Sequence, residues 1–236
     1  MVADLTEGQA SSDMPNYTVV EGDHLAKIAH QHGFSDFTTI WDHSQNAGLK
    51  KKRSNPNILF PGDTVFIPDH EIREESKPTE KRHRFVAKRK TLMLRLVLRD
   101  LEENAIQGAE CELSVAGETF ALTTDGQGQI EVVIPPTADD AKLKVKETTV
   151  LFPRDVAVKI GHQHPVDEVS GQERRLRNLG YMSGVPTTSP ANADEEAERK
   201  SLLQSAIEEF QCDHGLTVDG KCGPNTQAKL KEVHGC

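Results

Sequence analysis

Ten histidines and four cysteines are the residues of this chain best suited to chemistry, and their spacing decides which chemistry is open to them. Cys212-x-His214, Cys222 and His234-x-Cys236 gather nitrogen and sulfur donors of the kind zinc takes near the C-terminus, but at a spacing that fits no knuckle or finger. The plainer alternatives are buried thiols or a single Cys212–Cys222 bridge. His162-x-His164 offers two donors without a third ligand, and His24, His30, His32 and His43 read as polar groups on helix surfaces. No metal-hydrolase signature, Cys-His pair or paired carboxylates stand in a credible context, so the expectation is a protein that is not an enzyme and has neither cofactor nor metal. What remains is recognition through shape and hydrogen bonds, and the elements that carry it must be sought along the whole chain.

A length of 236 residues leaves room for two or three small domains. The formal charge of −9 and pI near 5.6 argue against nucleic acid, whose binding leans on basic patches and counterion release. No apolar run approaches the roughly 20 residues of a membrane helix, so no membrane insertion is expected. The opening MVADLTEGQASSDMPN has neither a basic nor an apolar leader region. It reads as a disordered N-terminus, 1–15, of a protein made in the cytoplasm without a signal peptide. Such a protein would act at the envelope or leave through a secretion machine.

From 17 to 68 two related strings answer each other, YTVVEGDHLAKIA and NPNILFPGDTVFIP. An alternating strand enters Gly22-Asp23, a helix opens with Leu25, Ile28 and Ala29 on one face, and Gly33 can stop it in the left-handed conformation. Asp23 sits where an N-cap belongs. Ser35 or Asp36 starts a second helix bearing Phe37, Ile40 and Trp41, ended by Asn46, and the basic run Leu49 to Arg53 reads as a lengthened loop before Asn55. Pro61-Gly62-Asp63 then launches a second strand. This βααβ pattern, 16–69, resembles the LysM domain, a module that binds N-acetylglucosamine glycans such as peptidoglycan and chitin, with His24 standing where the family usually has Thr. The resemblance implies a groove between Gly22, Asp23, His24 and Leu25 on one loop and Asn57, Ile58, Leu59, Phe60 and Pro61 on the other. Ile58, Leu59 and Phe60 would floor it; alternatively Ile58 and Phe60 are core and only Leu59 is exposed. Five basic and five acidic residues cancel over 17–68, so long-range attraction is not the basis of binding there.

Residues 70–84 mix both charges with almost nothing apolar and read as a linker. The period then becomes two. Leu92, Leu94, Leu96 and Leu98 alternate with outward positions, and further strands are predicted at 109–115, 118–124, 129–134, 141–146 and 155–160 around Gly117, Asp125 to Gly128 and Pro135-Pro136. Gly108-Ala109 and Thr124-Asp125-x-x-Gly128 make this region, 85–162, resemble the carboxypeptidase-regulatory-like or prealbumin-like sandwiches, usually spacers or docking modules.

The last third turns helical. Predicted helices cover Glu168 to Leu179 with Val169, Leu176 and Leu179 apolar, about Asp194 to His214 with Leu203, Ile207 and Phe210, and a third opened by Gly223-Pro224. Leu176 to Tyr181, Phe210 to Gly220 and Gly223 to Thr226 resemble the landmarks of the three-helix peptidoglycan-binding domain, here 163–236, with a polar insert at Ser183 to Glu198. That resemblance makes Tyr181, Asp219, Asn225 and Thr226 its candidate contacts.

The fold expected is thus multidomain α+β: a βααβ LysM module, an antiparallel β-sandwich and a three-helix peptidoglycan-binding module. The function expected is non-catalytic binding of peptidoglycan or a chitin-like glycan. The combination also resembles proteins that accompany contractile injection machines such as type VI secretion spikes, which implies a spike or tail protein as a further partner. In the alternative reading the chain is a structural adaptor on that partner, its glycan grooves degenerate.

Overall fold

The computed structural model describes residues 16–70, 78–82, 84, 91–100, 104–146, 155–182 and 190–236. The expected disordered N-terminus lies outside them, as do most of the expected linker and the first part of the insert at 183–198. The chain mixes helices with antiparallel sheets around three separate apolar cores.

The first core belongs to two short antiparallel strands, β1 (Asn16–Thr18) and β2 (Thr64–Phe66), with α1 (Leu25–Gln31), α2 (Thr38–Trp41) and α3 (Ala47–Lys52) between them. Gly33 ends α1 at φ +78°, as its type suggested. Val19, Leu25, Ile28, Ile40, Trp41, Leu59 and Val65 fill the interior. Asn46 ties the strand to the helices, donating through Nδ2 to the Ile40 and Phe66 carbonyls and accepting from the Phe66 N–H. The basic run is where the expectation fails: residues 47–52 are helix α3 rather than loop, and Arg53 is buried.

The second core lies between two antiparallel sheets. One pairs β3 (Leu92–Val97) with β6 (Gln129–Ile134); the other has the order β5-β4-β7-β8, from β4 (Glu110–Val115), β5 (Glu118–Thr123), β7 (Asp140–Val145) and β8 (Asp155–Lys159). Alternation explains it: Leu92, Leu94 and Leu96 turn to the core while Met93 and Val97 remain exposed. Ala116 and Gly117, both at positive φ, make the two-residue turn between β4 and β5, whose twist suits a hairpin. Gly128 has no room for a side chain, since a methyl group there would lie 2.4 Å from the Leu98 carbonyl oxygen. Thr124 is buried, its hydroxyl donating to the Ile106 carbonyl and accepting from the Ala109 N–H.

The third core joins α4 (Val169–Asn178), α5 (Ala193–Asp213) and α6 (Pro224–His234) through Leu176, Leu203, Ala206, Ile207, Phe210 and Leu230. Val169, expected on the apolar face of α4, is instead exposed, and Glu173 pairs with Arg199 of α5. Residues 193–198 of the insert are the opening turns of α5, capped by the Asn192 side chain on the Glu195 N–H. All four cysteines are unpaired, so the Cys212–Cys222 bridge is not formed. Among the described residues no cluster of three or more His, Cys, Asp or Glu could hold a metal, and no helix is long and apolar enough to cross a membrane.

Candidate functional site

The loop after β1 is shaped by Gly22, at φ +85°, and by Asp23. Asp23 does not cap α1. Its buried carboxylate accepts instead from the Tyr17 hydroxyl at 2.7 Å and the Val20 N–H at 3.0 Å, closing the loop on itself. Burial and the Asp23 contact push the Tyr17 phenol up to about 12. The cap is His24, whose Nδ1 accepts from the Lys27 N–H at 3.3 Å. The neutral ring therefore carries its proton on Nε2, and that atom is buried without a partner among the described residues. Burial, aided by the Lys27 charge, drives His24 down to about 4.

The facing loop approaches through a hydrogen bond from the Leu25 N–H to the Pro56 carbonyl at 3.1 Å. Two of the three expected floor residues, Ile58 and Leu59, are not on its surface. Leu25 is 0% exposed, Leu59 2% and Ile58 9%, so these side chains turn into the protein and offer no face to a ligand. Phe60 is half-buried, as is Pro61. Asn57 takes its backbone bond from the N–H to the Asn55 side chain, while its own Oδ1 is buried and unpartnered among the described residues. Of the nine residues expected to line the groove, Gly22, Asp23, His24, Asn57, Phe60 and Pro61 supply what the two loops could present.

Those loops are covered by the segment that follows β8. A methyl group on Gly161 would lie 2.4 Å from the Gly22 carbonyl oxygen, the His162 ring rests on Gly22, and His164 meets Phe60 edge-on at 5.0 Å. Glu21 binds His162 Nδ1 at 2.9 Å, His164 Nε2 at 2.9 Å and Arg174 Nη2 at 2.8 Å. Burial works against the charge of Glu21, but Arg174 and the two imidazoles outweigh it and hold the carboxyl below its usual range. His164 is itself pushed down, by burial and by Arg174; as a neutral ring it donates through Nε2 to Glu21 and accepts at Nδ1 from the Ser170 hydroxyl. Beside them Arg53 makes a bidentate pair with Asp63 and reaches Asp167 and Glu168, each at 3.3 Å. Arg53 and Arg174 are absent from the candidates drawn from sequence. His162 and His164 enter there only as an incomplete metal pair.

In the C-terminal helices the four candidate residues divide. Buried Gln211 of α5 accepts at Oε1 from the Asp219 and Gly220 N–H groups, both at 3.0 Å, and its Nε2 reaches Asp219 Oδ1, the Lys221 carbonyl and Thr226 Oγ1. Asp219 and buried Thr226 thus hold the loop 219–226 to α5, and the Lys221 N–H with the Gln211 amide lowers the Asp219 carboxyl. Tyr181 stands edge-on to Phe210 at 5.5 Å and donates to Asp213 at 3.1 Å. Asn225 is exposed at the start of α6. Gln211 is the organiser that a reading of landmarks passed over, although it is the second residue of the Phe210 to Gly220 landmark.

Residues 166–230, spanning this network, match the family described as a putative peptidoglycan binding domain. The match lies on the C-terminal helices and supports a peptidoglycan-binding domain there, with cell-wall peptidoglycan as the indicated partner. No curated protein and no solved structure matched the chain.

The buried imidazole gives a pH signature. Because His24 titrates near 4 when folded and about 6.5 when free, the unfolded chain binds more protons between those values, and stability rises with pH through that window. Acidification from pH 7 to 5 is expected to cost the N-terminal core about 2 kcal/mol through this group. In His24→Thr, where a hydroxyl can take over the cap, the pH slope measured by urea unfolding should flatten by that amount. Parallel slopes would contradict the assignment.

Proposed function

We propose that this protein is a non-catalytic peptidoglycan binder built from two wall-binding modules. The C-terminal one, 163–236, grips the wall; the N-terminal unit, 16–69, is read as a LysM module for N-acetylglucosamine glycan, and the sheets of 85–162 as a sandwich-like spacer joined to it by the linker 70–84. The observation that carries the reading is the family match over 166–230, laid on a loop that Gln211 holds in place. Support for the second site is local: His24 Nε2 and Asn57 Oδ1, one donor and one acceptor on facing loops, are buried without partners among the described residues, whereas buried polar groups are nearly always hydrogen-bonded. A sugar acetamide carries the complementary pair. Two weak sites on one polymer gain about 10²- to 10⁴-fold in apparent affinity when both can engage.

The covering of the N-terminal loops by 161–164 favours a second reading, in which this unit is an adaptor with a degenerate groove, docked on a spike or tail protein of a contractile injection apparatus that carries it to the envelope. The full chain is expected to co-sediment with purified insoluble peptidoglycan and to release no soluble muropeptides from it. Protein left in the supernatant would refute wall binding. Release of fragments would refute the non-catalytic half.

A further inference from the structure

We infer that residues 161–164 form an autoinhibitory strap over the N-terminal glycan loops, latched by Glu21, so that this site opens only when the strap lifts; the inference rests on the glycan reading of those loops. Three observations carry it. The first is position. Gly161 lies against the Gly22 carbonyl so closely that a Cβ would fall 2.4 Å from its oxygen, and His162 and His164 rest on Gly22 and Phe60, one on each of the two loops. The strap thus fills the space in which a sugar ring would sit.

The second is that the closed arrangement leaves polar groups unmet. His24 Nε2, Asn57 Oδ1 and Arg174 Nη1 are buried without partners among the described residues, and the strap stands beside the first of them, a Cβ on Gly161 falling 3.1 Å from His24 Cδ2. A ligand bringing a carbonyl and an N–H to His24 and Asn57 makes bonds that the strap cannot, and so competes with it.

The third is how little the clasp itself holds. The Glu21 side chain is 43% exposed, and its pairs with His162 and Arg174 face solvent, where ions weaken such attraction. On the other side of the junction, Arg53 touches Asp167 and Glu168 by single contacts at 3.3 Å, while its bidentate partner Asp63 belongs to its own unit. Lifting the strap therefore does not strand a buried guanidinium. The tie from Lys27 to Asp139 is likewise at the surface, and the more enclosed Glu21–His164 bond joins a neutral imidazole rather than a second fixed charge.

The test uses the full chain and chitopentaose, a neutral probe whose own binding is insensitive to salt. Arg174→Glu repels Glu21, and Gly161→Val forces the strap away sterically; neither residue belongs to the glycan loops. Hydrogen exchange over 20–26 and 159–165 reports opening, and calorimetry reports binding. Both variants are expected to exchange faster in those two segments and to bind chitopentaose several-fold more tightly than the wild type, which should itself gain affinity as salt is raised. Equal affinity in wild type and opened variants would overturn the latch and leave the glycan reading standing. Faster exchange with no chitopentaose binding by any form would overturn the glycan reading of these loops, and the inference with it. Unchanged exchange in both variants would show that nothing is latched.

Discussion

Replacing Arg53 with alanine is expected to destabilise the N-terminal core by about 3–5 kcal/mol, the range for removing one partner of a buried ion pair. Its side chain is 1% exposed, and both Nε and Nη2 bind Asp63, itself 2% exposed. Asp63 also accepts from the Phe60 N–H and from Lys52, but Lys52 lies at the surface and cannot neutralise the buried carboxylate by itself. In the wild type, burial raises the Asp63 carboxyl while the Arg53 and Lys52 bonds more than offset this, so it titrates below its usual range. Its stabilising contribution is therefore present above the unfolded value and lost as pH falls. Without Arg53 the balance reverses and the carboxyl is pushed up, so acid relieves the variant while weakening the wild type. The gap between them, followed by urea unfolding, should be widest near neutral pH and narrow toward pH 4. Arg53→Met with Asp63→Leu should recover much of the loss, because a well-packed apolar pair needs no desolvated charges. A gap that stayed constant with pH would show that Arg53 acts by packing alone.

Gln211→Ala is expected to be the most damaging single change to wall binding. It strands the Asp219 and Gly220 N–H groups and the buried Thr226 hydroxyl at once, for about 2–3 kcal/mol after partial resolvation by water. The loop 219–226 then loses its tie to α5, and Asn225 its fixed place. Gln211→Glu separates the roles of the amide: it can still accept from both N–H groups but faces the Asp219 carboxylate with no proton to donate. Thermal unfolding should find the glutamate variant near the alanine one, and both should co-sediment with peptidoglycan far more weakly than the wild type. Full wall binding by a folded Gln211→Ala protein would place the contact surface elsewhere on the domain.

What could be read from sequence was whatever is decided within a few residues. The strand at 92–97 follows from strict alternation, the turn at Ala116-Gly117 from its glycine, and α6 from Gly223-Pro224, where proline at the first helical position needs no hydrogen-bond partner. Errors arose where a distant residue decides. Asp is a better cap than His by type, yet Tyr17 draws the Asp23 carboxylate away and leaves the cap to His24. A run of three lysines and an arginine looks solvated, but Asp63, ten residues on, draws Arg53 inward. In Asn57 to Pro61 three apolar residues stand side by side, and no period tells which of them turns in; Ile58 and Leu59 do. The junction had no local signature at all, because its partners have no common element, spacing or turn.

That same junction fixes an order of events during synthesis. Glu21 meets Arg174 across 153 residues, and Lys27 meets Asp139 across 112, whereas each apolar core is assembled within its own stretch of chain. Loop closure over such distances follows the cores rather than leading them. On the ribosome the N-terminal unit therefore finishes folding with its loops bare, and stays so until the last third of the polypeptide has emerged. For that interval the nascent chain displays a surface that the mature protein conceals.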